Sequence, residues 1–362
     1  MAELQVRLAS GGYPIEIAYD CLSDCGAKIA VFCPAKKYAI ITDSTVAKLY
    51  ASPLLASLDK VGLTARLFPI QPGETRKNLV TIGELAERLA LAGFDRHDAL
   101  IALGGGVVGD ICGFLASIYM RGIPFIQAPT TLLAQVDSSV GGKTGVDIDA
   151  GKNLIGTFYQ PKAVFIDPTT LRSLPREEIQ SGLAEVLKYG LIRDRVFFDF
   201  LAAKKDEIFG LDAATLTDTI ATCCRIKAEV VMADEREGDL RRILNFGHTL
   251  GHAVEAASRY SLSHGFAVSI GMMAAARLSQ ARGLLTLADC EKIYNVLVAY
   301  GLPTDIPQEF AREQVQFFLK TDKKAVAGRL VFVLLRDIGQ PAMYNDVTEE
   351  EIAALFDQSE AL

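Results

Sequence analysis

The pattern of apolar and polar positions predicts two regions that differ in secondary structure. In the first region, short apolar runs rich in β-branched and aromatic residues alternate with stretches of helical period. This alternation predicts a mainly parallel sheet with helices on its faces. The predicted strands are 38–42, 64–70, 98–103, 124–128 and 163–167, and the predicted helices are 78–91 and 107–120. We therefore expect an α/β domain over residues 1–173.

Helical periodicity dominates after about residue 174. Long apolar repeats of helical spacing predict helices at 177–191, 213–234, 242–258 and 265–281. A short β pair is expected near 329–335, followed by a last helix at 348–356. The second region is therefore predicted to be a mainly helical domain over residues 174–362.

Composition narrows the classes of function. The formal charge of −7 argues against a nucleic-acid or anionic-membrane partner, because such surfaces carry basic patches. No apolar run reaches the length of about 18 residues that a membrane span requires. The first residues lack the pattern of a signal peptide, and the seven cysteines form no CxxC pair. We therefore expect a cytoplasmic protein in which any zinc is held by histidine and carboxylate.

A glycine-rich turn follows the predicted strand at 98–103. Gly104-Gly-Gly-Val-Val-Gly-Asp110 joins this strand to a helix, an arrangement in which backbone N–H groups and the helix dipole favour an anion. The spacing differs from GxGxxG, so a tight turn without a ligand stays an alternative. Thr130 and Thr131 follow the next strand, and Lys143 and Lys152 lie in glycine-rich surroundings that suit a polyanion.

The scarce histidines indicate a second kind of site. Three of the four histidines, His248, His252 and His264, fall within one short segment. Glu185 lies at i, i+3 from Lys188 among apolar residues, where a carboxylate is costly unless it is paired or binds a metal. A zinc site of two histidines and one glutamate is therefore reasonable. Spacing alone favours His248 and His252 as its histidine pair, because i and i+4 share a helix face.

Several motifs together resemble the 3-dehydroquinate synthase family. They occur in the family's order between about residues 38 and 339, and they are Gly104-Gly-Gly-Val-Val-Gly-Asp110, the run from Met120 to Gly145, Gly151-Lys-Asn153, Glu185-Val-Leu-Lys188 and Asn245-Phe-Gly-His-Thr-Leu-Gly-His252. The resemblance implies a Rossmann-like NAD-binding α/β domain, an all-α C-terminal domain, one divalent metal (zinc or cobalt) and a homodimer. It also implies a phosphorylated sugar-acid substrate, 3-deoxy-D-arabino-heptulosonate 7-phosphate. This would become 3-dehydroquinate and phosphate through transient oxidation by NAD, phosphate elimination, re-reduction, ring opening and aldol closure.

The resemblance also implies roles for individual residues. It assigns the metal to Glu185, His248 and His264, and it moves His252 to the substrate side. The residues implied in cofactor binding are Asp43, Pro72, Gly73, Glu74, Thr75, Arg76, Lys77, Gly106, Val107, Val108, Gly109, Asp110, Thr130, Thr131, Lys143, Lys152, Thr170, Leu171, Arg172 and Ser173. The residues implied in substrate binding and catalysis are Arg121, Asp137, Lys152, Asn153, Lys188, Lys227, Arg241, Asn245, His252 and Lys324, the last chosen over Lys323.

Three alternatives stay open at this point. The first is another sugar-phosphate cyclase that acts on sedoheptulose 7-phosphate or glucose 6-phosphate. The second is a metal-dependent NAD dehydrogenase of related fold, and the third is a catalytically silent NAD-binding protein. The residues that match the dehydroquinate pattern argue against the first alternative, and they are Asp137, Asn153, Arg241 and Asn245.

Overall fold

A computed structural model describes residues 1–9, 11–307, 310, 312–320 and 330–357. The chain divides into two compact units. Unit 1 comprises Met1–Pro175 and Leu211–Arg236, and unit 2 comprises Arg176–Gly210 and Glu237–Leu362. The strands are β1 (Ala2–Leu8), β2 (Gly11–Ile17), β3 (Lys37–Asp43), β4 (Thr64–Ile70), β5 (Ala99–Gly104), β6 (Phe125–Pro129), β7 (Lys143–Ile148), β8 (Gly151–Phe158), β9 (Val164–Ile166), β10 (Phe332–Asp337) and β11 (Gln340–Tyr344). The α-helices are α1 (Gly26–Phe32), α2 (Ser44–Asp59), α3 (Leu79–Leu91), α4 (Gly106–Ile118), α5 (Arg176–Arg193), α6 (Arg195–Ala203), α7 (Lys205–Phe209), α8 (Ala213–Ala233), α9 (His248–Ala257), α10 (His264–Ala281), α11 (Leu287–Ala299), α12 (Arg312–Lys320) and α13 (Glu349–Asp357).

The centre of unit 1 is a seven-stranded sheet in the order β1-β2-β9-β6-β5-β3-β4. All neighbouring strands are parallel except β1 and β2, which pair in antiparallel fashion. The predicted strands and the parallel α/β class are thus confirmed.

Side chains alternate between the two faces of this sheet, as strand geometry requires. In β3, Ile41 belongs to a core that includes α3 and α4, whereas Ile40 belongs to a second core that includes α1 and α2. In β5, Leu100 and Ile101 divide in the same way. The sheet is therefore covered by helices on both faces, which makes its central strands apolar throughout.

The strand order predicts the edge of the sheet at which a ligand would bind. Helix α2 follows β3 and packs on one face, whereas α4 follows the neighbouring strand β5 and packs on the other. In open α/β sheets, ligands bind at the carboxyl ends of two strands whose connections diverge in this way. That edge carries Asp43 at the end of β3 and Gly104 at the end of β5.

A hairpin of β7 and β8 is an element that the sequence analysis did not identify. Its strands pair in antiparallel register from Lys143 opposite Phe158 to Ile148 opposite Gly151. The predicted polyanion-binding lysines, Lys143 and Lys152, therefore lie on paired strands and not in irregular glycine-rich loops.

Unit 2 consists of helices with one short antiparallel pair, β10 and β11. The predicted helices at 177–191, 265–281 and 348–356 correspond to α5, α10 and α13. No helix among the described residues is long and apolar enough to cross a membrane.

The prediction of a continuous helix over 242–258 is wrong. A 3₁₀ segment over Leu240–Asn245 precedes Gly247, which has the left-handed φ of 77°, and α9 begins only at His248. A side chain at Gly247 would lie 2.5 Å from Met272 Cγ of α10. Close packing against α10 and the left-handed conformation therefore interrupt the helix one residue before its first histidine.

The unit boundary also differs in one respect from the expected division at residue 173/174. Helix α8, predicted from the sequence as part of the helical domain, belongs to unit 1. It packs against β1 and against the π-helical segment Ala134–Ser138. Its burial against the sheet, and not its position in the chain, decides the unit to which it belongs.

Candidate functional site

The glycine-rich turn of unit 1 is a suitable site for an anion. Gly105 occupies the N-cap of α4, and this N-cap residue has no side chain with which to cap the helix. The first N–H groups of a helix and its dipole attract negative charge, especially where no side chain competes. Gly105 has an ordinary φ of −75°, so backbone conformation does not explain the glycine at this position, whereas the limited space for a side chain does. A Cβ there would lie 2.9 Å from Thr131 Cγ2.

Residues from the neighbouring strand ends surround this turn. Asp43 Oδ1 accepts hydrogen bonds from the N–H groups of Thr45 and Val46, at 2.8 and 3.0 Å, and thereby caps α2. The Thr130 N–H donates to the Gly104 carbonyl at 2.9 Å, which ties the end of β6 to the end of β5. These strand ends thus form one connected edge, as the predicted cofactor site requires.

Most of the other predicted cofactor residues lie in the first turns of α4 and in or beside two short 3₁₀ segments, Glu74–Arg76 and Pro168–Ser173. Leu171 is buried, as is Val108 of α4, so the side chains of these two residues pack inside unit 1. Tyr50 Oη donates to the Thr170 carbonyl at 2.9 Å and holds the segment Pro168–Ser173 against α2. The exposed residues of these segments are Pro72, Gly73, Glu74, Thr75, Arg172 and Ser173.

A largely buried ion pair, with its lysine side chain 6% and its aspartate side chain 20% exposed, connects this edge to the β7–β8 hairpin. Lys77 Nζ lies 2.6 Å from Asp110 Oδ2 and donates to Asn153 Oδ1, also at 2.6 Å. The Asn153 N–H donates to Asp147 Oδ1 at 2.7 Å, and the Asp147 N–H donates to the Lys77 carbonyl at 2.8 Å. The network holds Asn153 at a left-handed φ of 52°. The predicted cofactor residues Lys77 and Asp110 are thus joined to the predicted substrate residue Asn153.

Burial and charge act in opposite directions on this pair. Burial raises the pKa of the Asp110 carboxyl, and the Lys77 ammonium offsets part of that effect. For Lys77, burial alone would lower the pKa, but Asp110 and Glu74 outweigh it and raise the pKa. The lysine therefore stays charged inside unit 1.

The predicted phosphate-binding cations in unit 1 are accessible. Lys152 Nζ lies 3.6 Å from Glu74 Oε1, with over a quarter of its side chain exposed. Arg121 is exposed and has a left-handed φ of 68°, between Met120 and Gly122, which also have positive φ. The chain reverses sharply here and presents the guanidinium at a surface turn.

A second ion pair in unit 1 joins Asp137 and Lys227. Lys227 Nζ lies 2.8 Å from Asp137 Oδ1 and donates to the Asp137 carbonyl at 2.6 Å. Asp137 belongs to the π-helical segment Ala134–Ser138, and such segments frequently occur at functional sites. The structure therefore brings together two predicted substrate residues that are 90 positions apart.

In unit 2, glycines allow three helices to approach closely enough to share a site. A Cβ at Gly265 of α10 would lie 2.0 Å from the Ser181 carbonyl oxygen of α5, and the Gly265 N–H donates to Ser181 Oγ at 3.0 Å. A Cβ at Gly271 would lie 1.8 Å from the Gly247 carbonyl oxygen, beside the start of α9. The backbones of α5, α9 and α10 therefore meet where Glu185, His248 and His264 are located.

The three predicted metal ligands form one cluster. Glu185 Oε1 lies 3.3 Å from His248 Nε2 and 3.4 Å from His264 Nε2. One ligand atom from each residue lies within 4.8 Å of the others. His248 Nδ1 lies 3.1 Å from the Phe246 carbonyl oxygen, which leaves Nε2 directed toward Glu185. Glu185, His248 and His264 therefore supply three ligand atoms without His252, which helical spacing had paired with His248.

The chemistry of the donor set fits a divalent cation. One carboxylate and two imidazole nitrogens are ligands that zinc and cobalt accept, with a further position left for substrate. The Glu185 side chain is only 1% exposed, and its carboxylate oxygens lie against Lys188 and the two imidazoles without a hydrogen bond of good geometry in the described part of the chain. Buried carboxylate oxygens are costly unless a partner or a cation compensates them.

The cluster also favours positive charge electrostatically. Burial alone would raise the pKa of Glu185, but the Lys188 ammonium, which contacts its Oε2, and the two imidazoles hold this pKa well below its usual range. For His264, burial alone would lower the pKa, but Glu185 and Glu255 raise it to about 9. The carboxylates thus create a strongly negative site around the imidazoles.

Of the further predicted residues in unit 2, His252 lies beside this cluster. The His252 ring centroid lies 5.2 Å from that of His248 and 5.8 Å from that of His264. Arg241 is only 2% exposed, and Asn245 Nδ2 donates to Glu237 Oε1 at 3.0 Å. Lys324, together with Lys323, lies outside the described residues.

Two carboxylates that the sequence analysis did not single out also contact predicted site residues. Glu237 accepts the hydrogen bond from Asn245, and Glu255 Oε2 lies 3.4 Å from His264 Nδ1. Glu255 follows His248 by seven positions and His252 by three, so helical spacing could have identified it. Glu237 lies outside the regular helices, and its spacing carries no comparable signal.

Comparisons with known proteins decide the family. Profiles described as "3-dehydroquinate synthase N-terminal" and "3-dehydroquinate synthase C-terminal" match residues 67–181 and 182–325. A 3-dehydroquinate synthase from Desulforamulus reducens is 47% identical over 359 residues, which cover 99% of this chain and 100% of that protein. The chain belongs to the 3-dehydroquinate synthase family.

Solved structures of related cyclases resemble the fold of this family member over nearly its full length. A 2-epi-5-epi-valiolone synthase from Streptomyces hygroscopicus, with NAD+ and Zn2+ bound, has a TM-score of 0.88 at 30% identity, covering 96% of each chain. A 2-deoxy-scyllo-inosose synthase complexed with carbaglucose-6-phosphate, NAD+ and Co2+ has a TM-score of 0.88 at 28% identity, covering 98% of this chain and 99% of that one.

Proposed function

We propose that this protein is a 3-dehydroquinate synthase that converts 3-deoxy-D-arabino-heptulosonate 7-phosphate into 3-dehydroquinate and phosphate. The observation that carries the proposal is the convergence of Glu185, His248 and His264, in a family member whose sequence matches such synthases throughout. The proposed sequence is oxidation of the substrate, elimination of phosphate, re-reduction, ring opening and aldol closure. This would make the enzyme a phosphate-eliminating carbon–oxygen lyase.

Two bound groups would supply chemistry that side chains lack. NAD accepts and returns a hydride, and a divalent cation, zinc or cobalt, makes a bound hydroxyl more acidic. Glu185, His248 and His264 would hold the cation. The uncapped first turn of α4, with Asp43, Thr130 and Thr131 at the neighbouring strand ends, would hold the cofactor.

Cationic side chains would bind the phosphate of the substrate. Lys152 and Arg121 are exposed enough to do so, and Lys324 is a third candidate from the sequence alone. Each would form charge-assisted hydrogen bonds, which are about twice as strong as neutral ones. The phosphate group itself could accept the proton removed during its elimination, so this step requires no further base from the protein.

The remaining charged and polar residues would orient the carboxylate and the hydroxyl groups. The Asp137–Lys227 pair offers both an acceptor and a donor at one place, and Asn153 is held in a fixed conformation by Lys77. Lys188, Arg241 and Asn245 supply further donors in unit 2. His252 lies beside both metal-binding imidazoles, and we assign it to the movement of a proton on the substrate side.

The other sugar-phosphate cyclases are the main alternative. The identity of 47% to a 3-dehydroquinate synthase exceeds the 30% and 28% to the two other cyclases, which favours dehydroquinate formation. The test is phosphate release from three substrates at equal concentration: 3-deoxy-D-arabino-heptulosonate 7-phosphate, sedoheptulose 7-phosphate and glucose 6-phosphate. We expect release from the first alone. Faster release from either of the other two would overturn the substrate assignment.

We further propose that residues 1–173 supply the cofactor-binding function, and that residues 174–362 supply the metal site and most of the substrate contacts. We also propose that the protein acts as a homodimer in the cytoplasm. Light scattering of the purified protein tests the oligomeric state, with a mass of twice 39.1 kDa expected.

A further inference from the structure

Glu255 is a buried carboxylate on α9 that has no role in the function proposed above. It is 5% exposed, and a carboxylate at such a depth is costly unless a partner compensates its charge. His248, His252 and Glu255 stand at positions i, i+4 and i+7 of α9, which places them along one face of the helix. Glu255 is therefore presented by the same face as the histidine cluster.

The two ring nitrogens of His264 face different carboxylates. His264 Nε2 lies 3.4 Å from Glu185 Oε1, whereas His264 Nδ1 lies 3.4 Å from Glu255 Oε2. A neutral imidazole has one nitrogen with a hydrogen and one with a free lone pair. If Nε2 binds a cation, Nδ1 must carry the hydrogen, and Glu255 is the acceptor in front of it.

We propose that Glu255 is a positioning residue that fixes the ring orientation and the tautomer of His264 for metal binding. This inference rests on the proposed metal site. Carboxylates that accept the second N–H of a metal-binding imidazole orient the ring and raise its basicity. Ser181 and Gly265 fix the start of α10 against α5, and Glu255 fixes the ring that this helix presents.

A different arrangement of ligands is the alternative that the test must exclude. His252, Glu255 and His264 could also hold a cation, since one ligand atom from each lies within 4.8 Å of the others. In that arrangement Glu255 would itself be a ligand. Geometry favours the positioning role, because Glu185 Oε1 lies within 3.4 Å of both His248 Nε2 and His264 Nε2, and His248 Nδ1 lies near a backbone carbonyl.

The test titrates metal-free protein with Co2+ and records both the affinity and the visible absorption of the bound ion. Loss of such a second carboxylate costs about 10- to 100-fold in metal affinity. We expect Glu255→Ala to weaken binding by this amount and Glu255→Gln to weaken it less, because the amide keeps an acceptor oxygen. Both variants should still bind one Co2+ with the wild-type absorption bands. The matched control, Glu291→Gln at an exposed position of α11, should bind within about twofold of the wild type.

Four results would overturn the proposal. An affinity of Glu255→Ala equal to that of Glu291→Gln would show that Glu255 does not act on the site. Altered absorption bands, or complete loss of binding as expected for Glu185→Gln, would show that Glu255 is a ligand. If the wild type binds Co2+ but releases no phosphate, only the proposed reaction is contradicted, and the inference about Glu255 is not. If the wild type binds no Co2+, both the proposed metal site and the inference about Glu255 are contradicted.

The tautomer of His264 can also be measured directly in the wild-type protein. With ¹⁵N-labelled histidine in the metal-loaded protein, we expect His264 to carry its hydrogen on Nδ1 and to exchange it slowly with water. In Glu255→Gln this exchange should become faster. A hydrogen on Nε2 in the loaded wild type would contradict the proposed geometry.

Discussion

The glycine-rich turn of unit 1 and the histidine cluster of unit 2 achieve binding in different ways. The turn offers backbone N–H groups at a helix end whose N-cap residue is glycine, and its glycines leave space beside Thr131. The cluster offers side-chain donors from α5, α9 and α10, and its glycines allow the helix backbones to meet. In the first region glycine makes room for a ligand, whereas in the second it brings ligand residues together. Substitutions should therefore affect the two regions by different mechanisms.

The largest effect is expected at the metal cluster. Glu185→Gln or His264→Ala should remove the bound metal and lower turnover by about two to three orders of magnitude, because the cation supplies several kcal/mol of transition-state stabilisation. His252→Ala should keep most of the metal while turnover falls. Metal content per chain and initial rates check both statements. An empty His252→Ala protein beside a loaded His264→Ala protein would restore the pairing of His248 with His252.

The buried ion pair of unit 1 should have the next largest effect. Lys77→Met leaves the Asp110 carboxylate without its nearest cation, and breaking a buried pair in this way costs about 3 kcal/mol of unfolding free energy. Denaturant unfolding measures this cost. The same substitution at Lys204, whose pair with Glu207 is exposed, is the control and should cost less than about 1 kcal/mol. Equal costs at the two positions would contradict the structural role of the network.

Glycine substitutions should have smaller and opposite effects at two positions. A Cβ at Gly113 of α4 would lie 2.4 Å from Thr144 Cγ2 of β7, so Gly113→Ala should lower the unfolding free energy by about 1–3 kcal/mol. Gly83 is an exposed position of α3, with no described atom within 4 Å of the added Cβ, so Gly83→Ala should raise the unfolding free energy by about 0.5–1 kcal/mol. A gain in stability for Gly113→Ala would mean that α4 does not need glycine to pack on the hairpin.

The contrast between the regions also explains how far the sequence could be interpreted without a structure. Strands such as β4, over Thr64–Ile70, follow directly from local apolar patterning. The break before α9 does not, because it depends on the contact of Gly247 with Met272, which is distant in sequence. The β7–β8 hairpin was missed for a related reason: its glycines, Gly145 and Gly156, indicate a loop but pack backbone against backbone across the pair.

The candidate sites show the same limit. Helical spacing predicts that His248 and His252 share one helix face. It does not predict that His264 lies close to Glu185, because this proximity depends on how α10 packs against α5. The assignment of Glu185, His248 and His264 came from the family resemblance, and the structure places their donor atoms together. Glu255 lies on the same face of α9 as His248. Its spacing from His248 does not indicate a function, because that inference requires the distance between Glu255 and His264.

The central claim is that the two regions serve one redox-neutral reaction, in which NAD is reduced and reoxidised in each turnover. The most direct measurement follows phosphate release and NADH absorbance together, with substrate in excess and NAD+ equal to the enzyme concentration. The account predicts many phosphates released per NAD+ and no accumulation of NADH. One NADH formed per substrate consumed, with the phosphate retained on the product, would contradict it and identify a dehydrogenase.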